Sequence, residues 1–385
     1  MARSWRIGEN EFKYVREVLE GGFPGSSKTS FTKRLEAAFA EKFGVRFAVS
    51  MVNGTATLHA ALIAAGVRPG DEVIVPPLTM SSTTYAVLHA GAVPVFADID
   101  PDTFVMSTEA AKRCITHRTR AIMPVSLFGL APDFDGLHKI AGEHNIPIIE
   151  DDAQCFLGRY KGRLVGTLGD LASFSFQNSK HMTCGEGGMV ITDNPEYALA
   201  VRRFAGLGYS TISNNPGSLV LDKSQLHNPT FERHIAFGYN YRLGELPCAA
   251  ALAQLEKLDR FVAMRQKCAA AFGEALKGVE WLRPQLTPPE RENSYWAYAV
   301  RIADDKISWE EFYRRFISNG GDGFYGAWRL TYDEPYFRGL IPAEHRCCPV
   351  ADATQPRLMQ FKTHYGDDST IAAQVEALAK TIRSF

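Results

Sequence analysis

Apolar positions along the chain follow two periods. Near the N-terminus they recur at helical spacing, as Phe12, Val15, Val18 and Leu19 within 9–20 and as Phe31, Leu35, Phe39 and Phe43 within 29–43, the pattern of amphipathic helices. Gly21-Gly22-Phe23-Pro24-Gly25-Ser26-Ser27 between them predicts a loop. From Phe47-Ala48-Val49-Ser50 onward, short apolar runs alternate with helical ones. A helix is predicted over 56–65, followed by runs at 72–75, 81–90, 93–97, 108–114, 121–125, 134–143 and 147–150. Strands separated by helices in this way predict βαβ units, an α/β fold whose mostly parallel sheet is flanked by helices. The strands are apolar throughout, as expected where both faces are covered.

Beyond the sheet the pattern loosens. Residues 208–235, rich in Gly, Ser, Asn and Pro, predict an irregular excursion. Leu246, Ala249, Leu252, Leu255, Leu258 and Phe261 predict one long helix over 245–277. The remainder predicts a strand over 295–302 and helices over 309–319 and 368–384. This divides the chain into a large domain over 1–250, with an N-terminal helical segment, and a smaller C-terminal α/β domain over 251–385 that includes the long linking helix.

Composition narrows the function by exclusion. In 385 residues, 42 Lys and Arg face 43 Asp and Glu, a net charge of −1 that offers no attraction for nucleic acid or an anionic membrane. No apolar run approaches the ~18 residues of a membrane span, and no basic segment followed by an apolar one opens the chain. The seven cysteines are scattered without C-x-x-C spacing, and the ten histidines form no ligand cluster. Neither a disulfide framework nor a metal site is expected, and reduced thiols in the cytoplasm fit best.

The chemistry gathers around 169–194. Ser173-Phe174-Ser175-Phe176 reads as a strand, then come Gln177-Asn178-Ser179-Lys180-His181, the turn Gly185-Glu186-Gly187-Gly188, and a second strand Met189-Val190-Ile191-Thr192. Between two apolar strands a lysine favours its neutral, nucleophilic amine. Taken alone, the stretch fits a surface hairpin with a solvated lysine better. Two further features change the balance. Asn53-Gly54-Thr55 ends a strand and opens a helix, where free N–H groups and the helix dipole suit an anion. Ile148-Ile149-Glu150-Asp151-Asp152-Ala153-Gln154 brings an apolar strand into a carboxylate cluster, over the crevice where α/β sheets bind ligands. In isolation these are equally a plain helix start and a set of turn residues. Neither a Walker loop nor a dinucleotide-binding G-x-G-x-x-G follows the first strand. A lysine for a Schiff base, a carboxylate for a ring nitrogen and a helix start for a phosphate are what pyridoxal phosphate requires.

At these residues the chain resembles the DegT/StrS-type sugar aminotransferases, pyridoxal phosphate enzymes of fold type I. The likeness runs through Asn53-Gly54-Thr55-Ala56, Val75-Pro76-Pro77-Leu78-Thr79, Gly91–Phe96, Glu150–Gln154, Ser175–Lys180, Gly185–Gly188, Gly238-Tyr239-Asn240-Tyr241-Arg242 and Gln254-Leu255, and thins beyond about 280. It implies pyridoxal 5'-phosphate, cycling through pyridoxamine phosphate, with Lys180 as the Schiff-base lysine and Asp151 as partner of the pyridine nitrogen. It further implies Gln154 near the 3-hydroxyl, and Gly54, Thr55, Ala56 and Ser175 at the phosphate. Asn240 is expected to reach the phosphate of a neighbouring subunit, giving a homodimer with shared active sites. Two departures stand out. Met80 occupies a ring-stacking position that is commonly aromatic, and Ser126 and Phe128 stand where His and Tyr are frequent.

The reaction this implies is transfer of an amino group, from L-glutamate, to a keto-sugar linked to a nucleotide. The substrates are small molecules, and selectivity is expected in 208–235 and in 320–335, where Tyr325, Trp328, Arg329 and Tyr332 cluster. Packing is an equal reading of that cluster. The alternatives are a dehydratase or lyase using the same cofactor, and a non-catalytic pyridoxal phosphate-binding regulator. Relatives that act as sugar dehydratases carry His in place of the lysine, whereas here His181 stands beside Lys180.

Overall fold

A computed structural model describes residues 4–23, 30–217 and 223–385. The later part of the predicted first loop, 24–27, and residues 218–222 of the excursion lie outside them. Two N-terminal helices, α1 (Glu9–Glu20) and α2 (Phe31–Phe43), precede seven strands: β1 (Phe47–Met51), β2 (Glu72–Val75), β3 (Val93–Phe96), β4 (Thr119–Ile122), β5 (Ile149–Asp151), β6 (Leu171–Ser175) and β7 (Gly188–Thr192). Helices α3 (Gly54–Ala64), α4 (Ser82–His89), α5 (Thr108–Arg113) and α6 (Phe134–His144) alternate with them, and α7 (Pro195–Ala205) follows β7.

The strands pair as β3-β2-β4 and as β5-β6-β7-β1. Parallel bridges at Ile122–Ile148 and Val125–Asp151 join the two groups into one curtain. It is mostly parallel, as the alternation predicts. β7 alone runs against both its neighbours, because the segment joining it to β6 contains no crossover helix. β1, β2, β4, β5 and β6 therefore end at one edge. The core on either face is apolar, with Val73, Val75, Phe96 and Phe128 in one cluster and Phe39, Phe43, Phe174 and Phe176 in another.

The long helix expected over 245–277 is two helices, α8 (Glu245–Leu255) and α9 (Leu258–Ala275). Periodicity runs through the break, so the apolar pattern alone does not reveal it. The polar pair at the break has tertiary partners: Glu256 accepts from Asn10 and Tyr14, and the Lys257 ammonium meets Glu11 and the Arg6 carbonyl oxygen. The kink lets α8 lie on α1 and α2 while α9 turns toward a second sheet. That sheet is antiparallel, β8 (Leu282–Pro284), β9 (Ala297–Ile302), β10 (Phe324–Gly326) and β11 (Leu358–Lys362), in the order β8-β9-β11-β10. Phe272, Phe312, Phe316 and Phe361 pack it against α9, α10 (Trp309–Ser318) and α11 (Asp368–Arg383).

Candidate active site

The carboxyl ends of five strands open onto one cavity of about 1150 Å³, to which the second sheet contributes a wall. Asn53-Gly54-Thr55 follows β1, Thr79-Met80 follows β2, Val125 follows β4, Asp151 ends β5, and Ser175 ends β6. The rule that open α/β sheets bind ligands at this edge is met here by side-chain chemistry as well as by topology.

One end of the cavity is built for an anion. Asn53 caps α3, its Oδ1 accepting the Ala56 N–H at 2.8 Å. Helix geometry leaves the N–H groups of Gly54 and Thr55 without partners inside the helix. A side chain at 54 would come 2.9 Å from the Ser175 Cβ, so glycine is what allows the helix start to approach the Ser175 hydroxyl. Thr57 Oγ1 and Ser173 Oγ, 2.6 Å apart, fasten α3 to β6. Gly54, Thr55 and Ser175 line the cavity. Ala56 does not, and its N–H is already committed to the cap.

At the end of β5, alternation along the extended backbone separates three consecutive carboxyls. Asp151 lines the cavity, its Oδ2 accepting from Thr83 Oγ1 at 2.8 Å and its Oδ1 from the Ala153 N–H at 3.2 Å. Burial raises its pKa, while those two bonds and the nearby Lys180 pull it back. Glu150 and Asp152 point the other way. Glu150 accepts the N–H groups of Gly166, Leu168 and Gly169, and Asp152 Oδ1 accepts from Ser126 Oγ at 2.7 Å. Burial, and next the charge of Glu150, raise the pKa of Asp152 well above its ordinary value.

Lys180 is no solvated hairpin residue. It is 9% exposed and lines the same cavity as Asp151. Burial lowers its pKa to about 8, against Asp151, which raises it, and with Arg265, which lowers it further. The ammonium lies 5.2 Å from the Trp296 ring centroid. The Gly-rich turn behind it is needed on contact grounds, since a Cβ at Gly188 would meet the Asn53 backbone at 2.9 Å. His181 faces the core, its Nε2 3.0 Å from the Ser294 carbonyl oxygen, and cannot substitute for the lysine from there.

Gln154 gives its Oε1 to the Phe128 N–H at 2.9 Å, leaving its amide nitrogen for the cavity it lines. Met80, 49% exposed, sits on the rim. Tyr325 and Trp328 also line the cavity, with Trp328 stacked on Trp296 at 5.7 Å and on Phe128 at 6.4 Å. Of the same cluster, Tyr332 is buried and donates to Asp352, and Arg329 donates to the Asp333 carbonyl. Asn240 is placed apart from these residues. It lines a separate cleft of about 600 Å³ with Glu36, Arg202 and Arg242, and none of the described residues of 208–235, where selectivity is expected, lines the Lys180 cavity within one chain. Residues the pattern did not single out also line the cavity: Arg6, Trp296, Gln360 and His364. Arg6 and Trp296 hold backbone carbonyls, a role that leaves no spacing signature. Among the described residues no group of three metal-ligating side chains gathers, and no helix is long and apolar enough to cross a membrane.

These residues fit pyridoxal phosphate. A helix start and hydroxyl suit its phosphate, a buried carboxylate suits a protonated ring nitrogen, and a buried amine lies on the same cavity.

Comparison with known proteins agrees. The profile of the DegT/DnrJ/EryC1/StrS aminotransferase family matches residues 6–377. A GDP-perosamine synthase of Caulobacter vibrioides is 36% identical over 301 residues, 78% of this chain and 76% of that protein. Among solved structures, 3-amino-5-hydroxybenzoic acid synthase superposes with a TM-score of 0.85 at 29% identity, covering 98% of this chain and 97% of its own. An aminotransferase from Psychrobacter cryohalolentis gives 0.85 at 27% identity, covering 97% and 96%.

Proposed function

Because the chain belongs to the DegT/DnrJ/EryC1/StrS aminotransferase family, we propose that it moves an amino group from L-glutamate to a keto-sugar carried on a nucleotide. It is a pyridoxal phosphate-dependent sugar aminotransferase. The observation that carries the assignment is the meeting of Lys180 and Asp151, both buried, on one cavity with the α3 start and Ser175. When bound, the cofactor supplies a Schiff-base carbon and an electron sink.

The chain's own residues do the rest. Gly54, Thr55 and Ser175 hold the phosphate, with Ala56 supporting that turn through its bond to Asn53. Asp151, fixed by Thr83 and Ala153, keeps a positive charge on the ring nitrogen. Gln154 offers its amide to the 3-hydroxyl, and Met80 covers the ring from the rim with a thioether. Lys180, with its pKa lowered to about 8, has an accessible neutral form and takes the proton from the donor's α-carbon. The same amine returns a proton to the acceptor carbon. Trp296, Trp328 and Tyr325 present aromatic faces to the acceptor. Asn240 is supplied to the partner's site across a homodimer, and the free cysteines suit a cytoplasmic setting.

The test is a donor half-reaction. The purified protein should be yellow, L-glutamate should bleach that absorbance, and a nucleotide keto-sugar should restore it. GDP-linked ketosugars are the first acceptors to try, given the named relative. Lys180→Ala should keep its fold and abolish the response. Turnover in that variant, or loss of water from the sugar without consumption of glutamate, would overturn the reading.

A further inference from the structure

The segment that carries the catalytic lysine is held by its carbonyl oxygens. Arg6 donates through Nη1 to the Asn178 oxygen at 2.8 Å and through Nη2 to the Lys180 and His181 oxygens at 2.7 and 3.2 Å. Arg265, from α9, donates through Nη2 to the Ser179 and Lys180 oxygens at 3.3 and 3.4 Å. Its Nη1 donates to the Trp296 oxygen at 2.8 Å and to Thr363 Oγ1 at 3.0 Å. Trp296 Nε1 completes the set on Ser179 at 3.0 Å. Four consecutive carbonyls thus have donors from three distant parts of the chain.

Arg265 is the unusual member. It is 2% exposed, yet no carboxylate among the described residues lies within ion-pair distance of it. A buried cation is normally paired with an anion, because removing it from water is costly. Carbonyl dipoles and one hydroxyl satisfy its hydrogen bonds here but supply no countercharge, and burial, then the nearby Arg6, lowers its pKa to about 9, so it is cationic at neutral pH. Hydrogen bonds to those carbonyls alone would need no permanent charge.

We propose that Arg265 is a positioning residue for the transamination, fixing the backbone at Ser179 and Lys180 and setting a buried positive charge against it that favours the neutral form of the Lys180 amine. The groups facing Lys180 oppose one another. Asp151 from β5 and Glu186 from the Gly-rich turn favour the ammonium, and Arg265 from α9 disfavours it. Arg6, Lys362 and His364 add their groups to the same cavity wall, and His181, adjacent in sequence, is buried, which lowers its pKa well below the ordinary value. Burial is the largest influence on Lys180, and it acts whether or not Arg265 is charged. What Arg265 contributes is a bias that survives when Asp151 is ionised.

The inference rests on the aminotransferase reading, and its test separates the two. In the cofactor-free full-length protein, competitive trace acetylation against pH, read by mass spectrometry of the Lys180 peptide, reports that amine directly. Arg265→Met removes the charge, and Arg265→Gln removes it while retaining an amide for the carbonyls. Both should shift the midpoint upward by about one pH unit. Arg265→Lys, which keeps the charge, should stay near wild type. In the cofactor-loaded enzyme the alkaline rise of kcat should move in the same direction. An unmoved midpoint in either folded neutral variant would overturn the proposal. So would failure of both to fold, which would make Arg265 a structural residue only. Wild-type glutamate bleaching, measured alongside, reports separately on the reaction assignment.

Discussion

Glu150, Asp151 and Asp152 leave the same apolar strand, yet alternation along the extended backbone gives them opposite surroundings and different chemistry. Asp151 alone lines the cavity with Lys180, and Asp152 turns toward Ser126 and Glu150. Asp151→Asn should therefore slow the half-reaction tenfold or more, since a charge-assisted bond to a buried cation is worth about 1.5–3 kcal/mol. Cofactor binding should suffer less. Asp152→Asn should leave the rate close to wild type, because that side chain turns away from the cavity and an amide oxygen can still accept from Ser126. The same pair sets a pH dependence of stability. Asp152 is raised in the folded state, so its contribution is full below the unfolded carboxylate pKa and is lost as pH rises through the higher folded value. Urea unfolding across acid to neutral pH should show Asp152→Asn with less loss than wild type. Equal rate losses in the two variants would reassign the nitrogen contact. The sequence presented all three carboxyls, and strand alternation already implied that neighbours diverge. The resemblance named Asp151, but the strand pattern alone could not, because which carboxyl faces the ligand depends on Thr83 from α4 and Ser126 from the loop after β4.

At the scale of elements, the start of α3 does two things with one set of atoms. Asn53 caps the helix, which frees the geometry at Gly54 and Thr55 for an anion. Asn53→Ala should cost about 1 kcal/mol of stability, measured by denaturant unfolding. Gly54→Ala is a different lesion. Its new Cβ would press on Ser175 at 2.9 Å, so cofactor affinity should fall by roughly tenfold, or ~1.4 kcal/mol, in an absorbance titration. Normal affinity in that variant would move the phosphate elsewhere. This element was legible from Asn53-Gly54-Thr55 because capping and anion binding leave local signatures. The division of α8 from α9 was not. Its apolar stripe continues past the break, and the polar partners at the break, Asn10, Glu11 and Tyr14, come from α1, far away in sequence. The clamp on the lysine segment was equally silent, because Arg6 and Arg265 reach it across 174 and 85 positions of chain.

For the molecule as a whole, the homodimer is the remaining proposal to test. Asn240 lies in a cleft apart from Lys180 within one chain, as it would if it served a neighbour. Exposed Ile235, Phe237 and Tyr239 beside it offer apolar surface for the contact. Mixing Lys180→Ala with Asn240→Ala chains, each inactive alone, should restore about a quarter of wild-type activity. Random pairing places half the chains in mixed dimers, each with one intact site. No recovery after verified subunit exchange would confine each site to a single chain.

The two walls of the cavity come from separate stretches of sequence. Every group assigned to the cofactor within one chain lies between 53 and 180, on the first sheet's edge. Trp296, Tyr325, Trp328, Gln360 and His364 come from the second sheet and its approaches. A change of acceptor can therefore be reached by mutating the later stretch while the proton-transfer machinery stays as it is. For an engineer, this marks 325–360 as the region to diversify in a library, and 53–180 together with Arg265, Trp296 and Thr363, which hold the lysine segment, as the positions to hold constant.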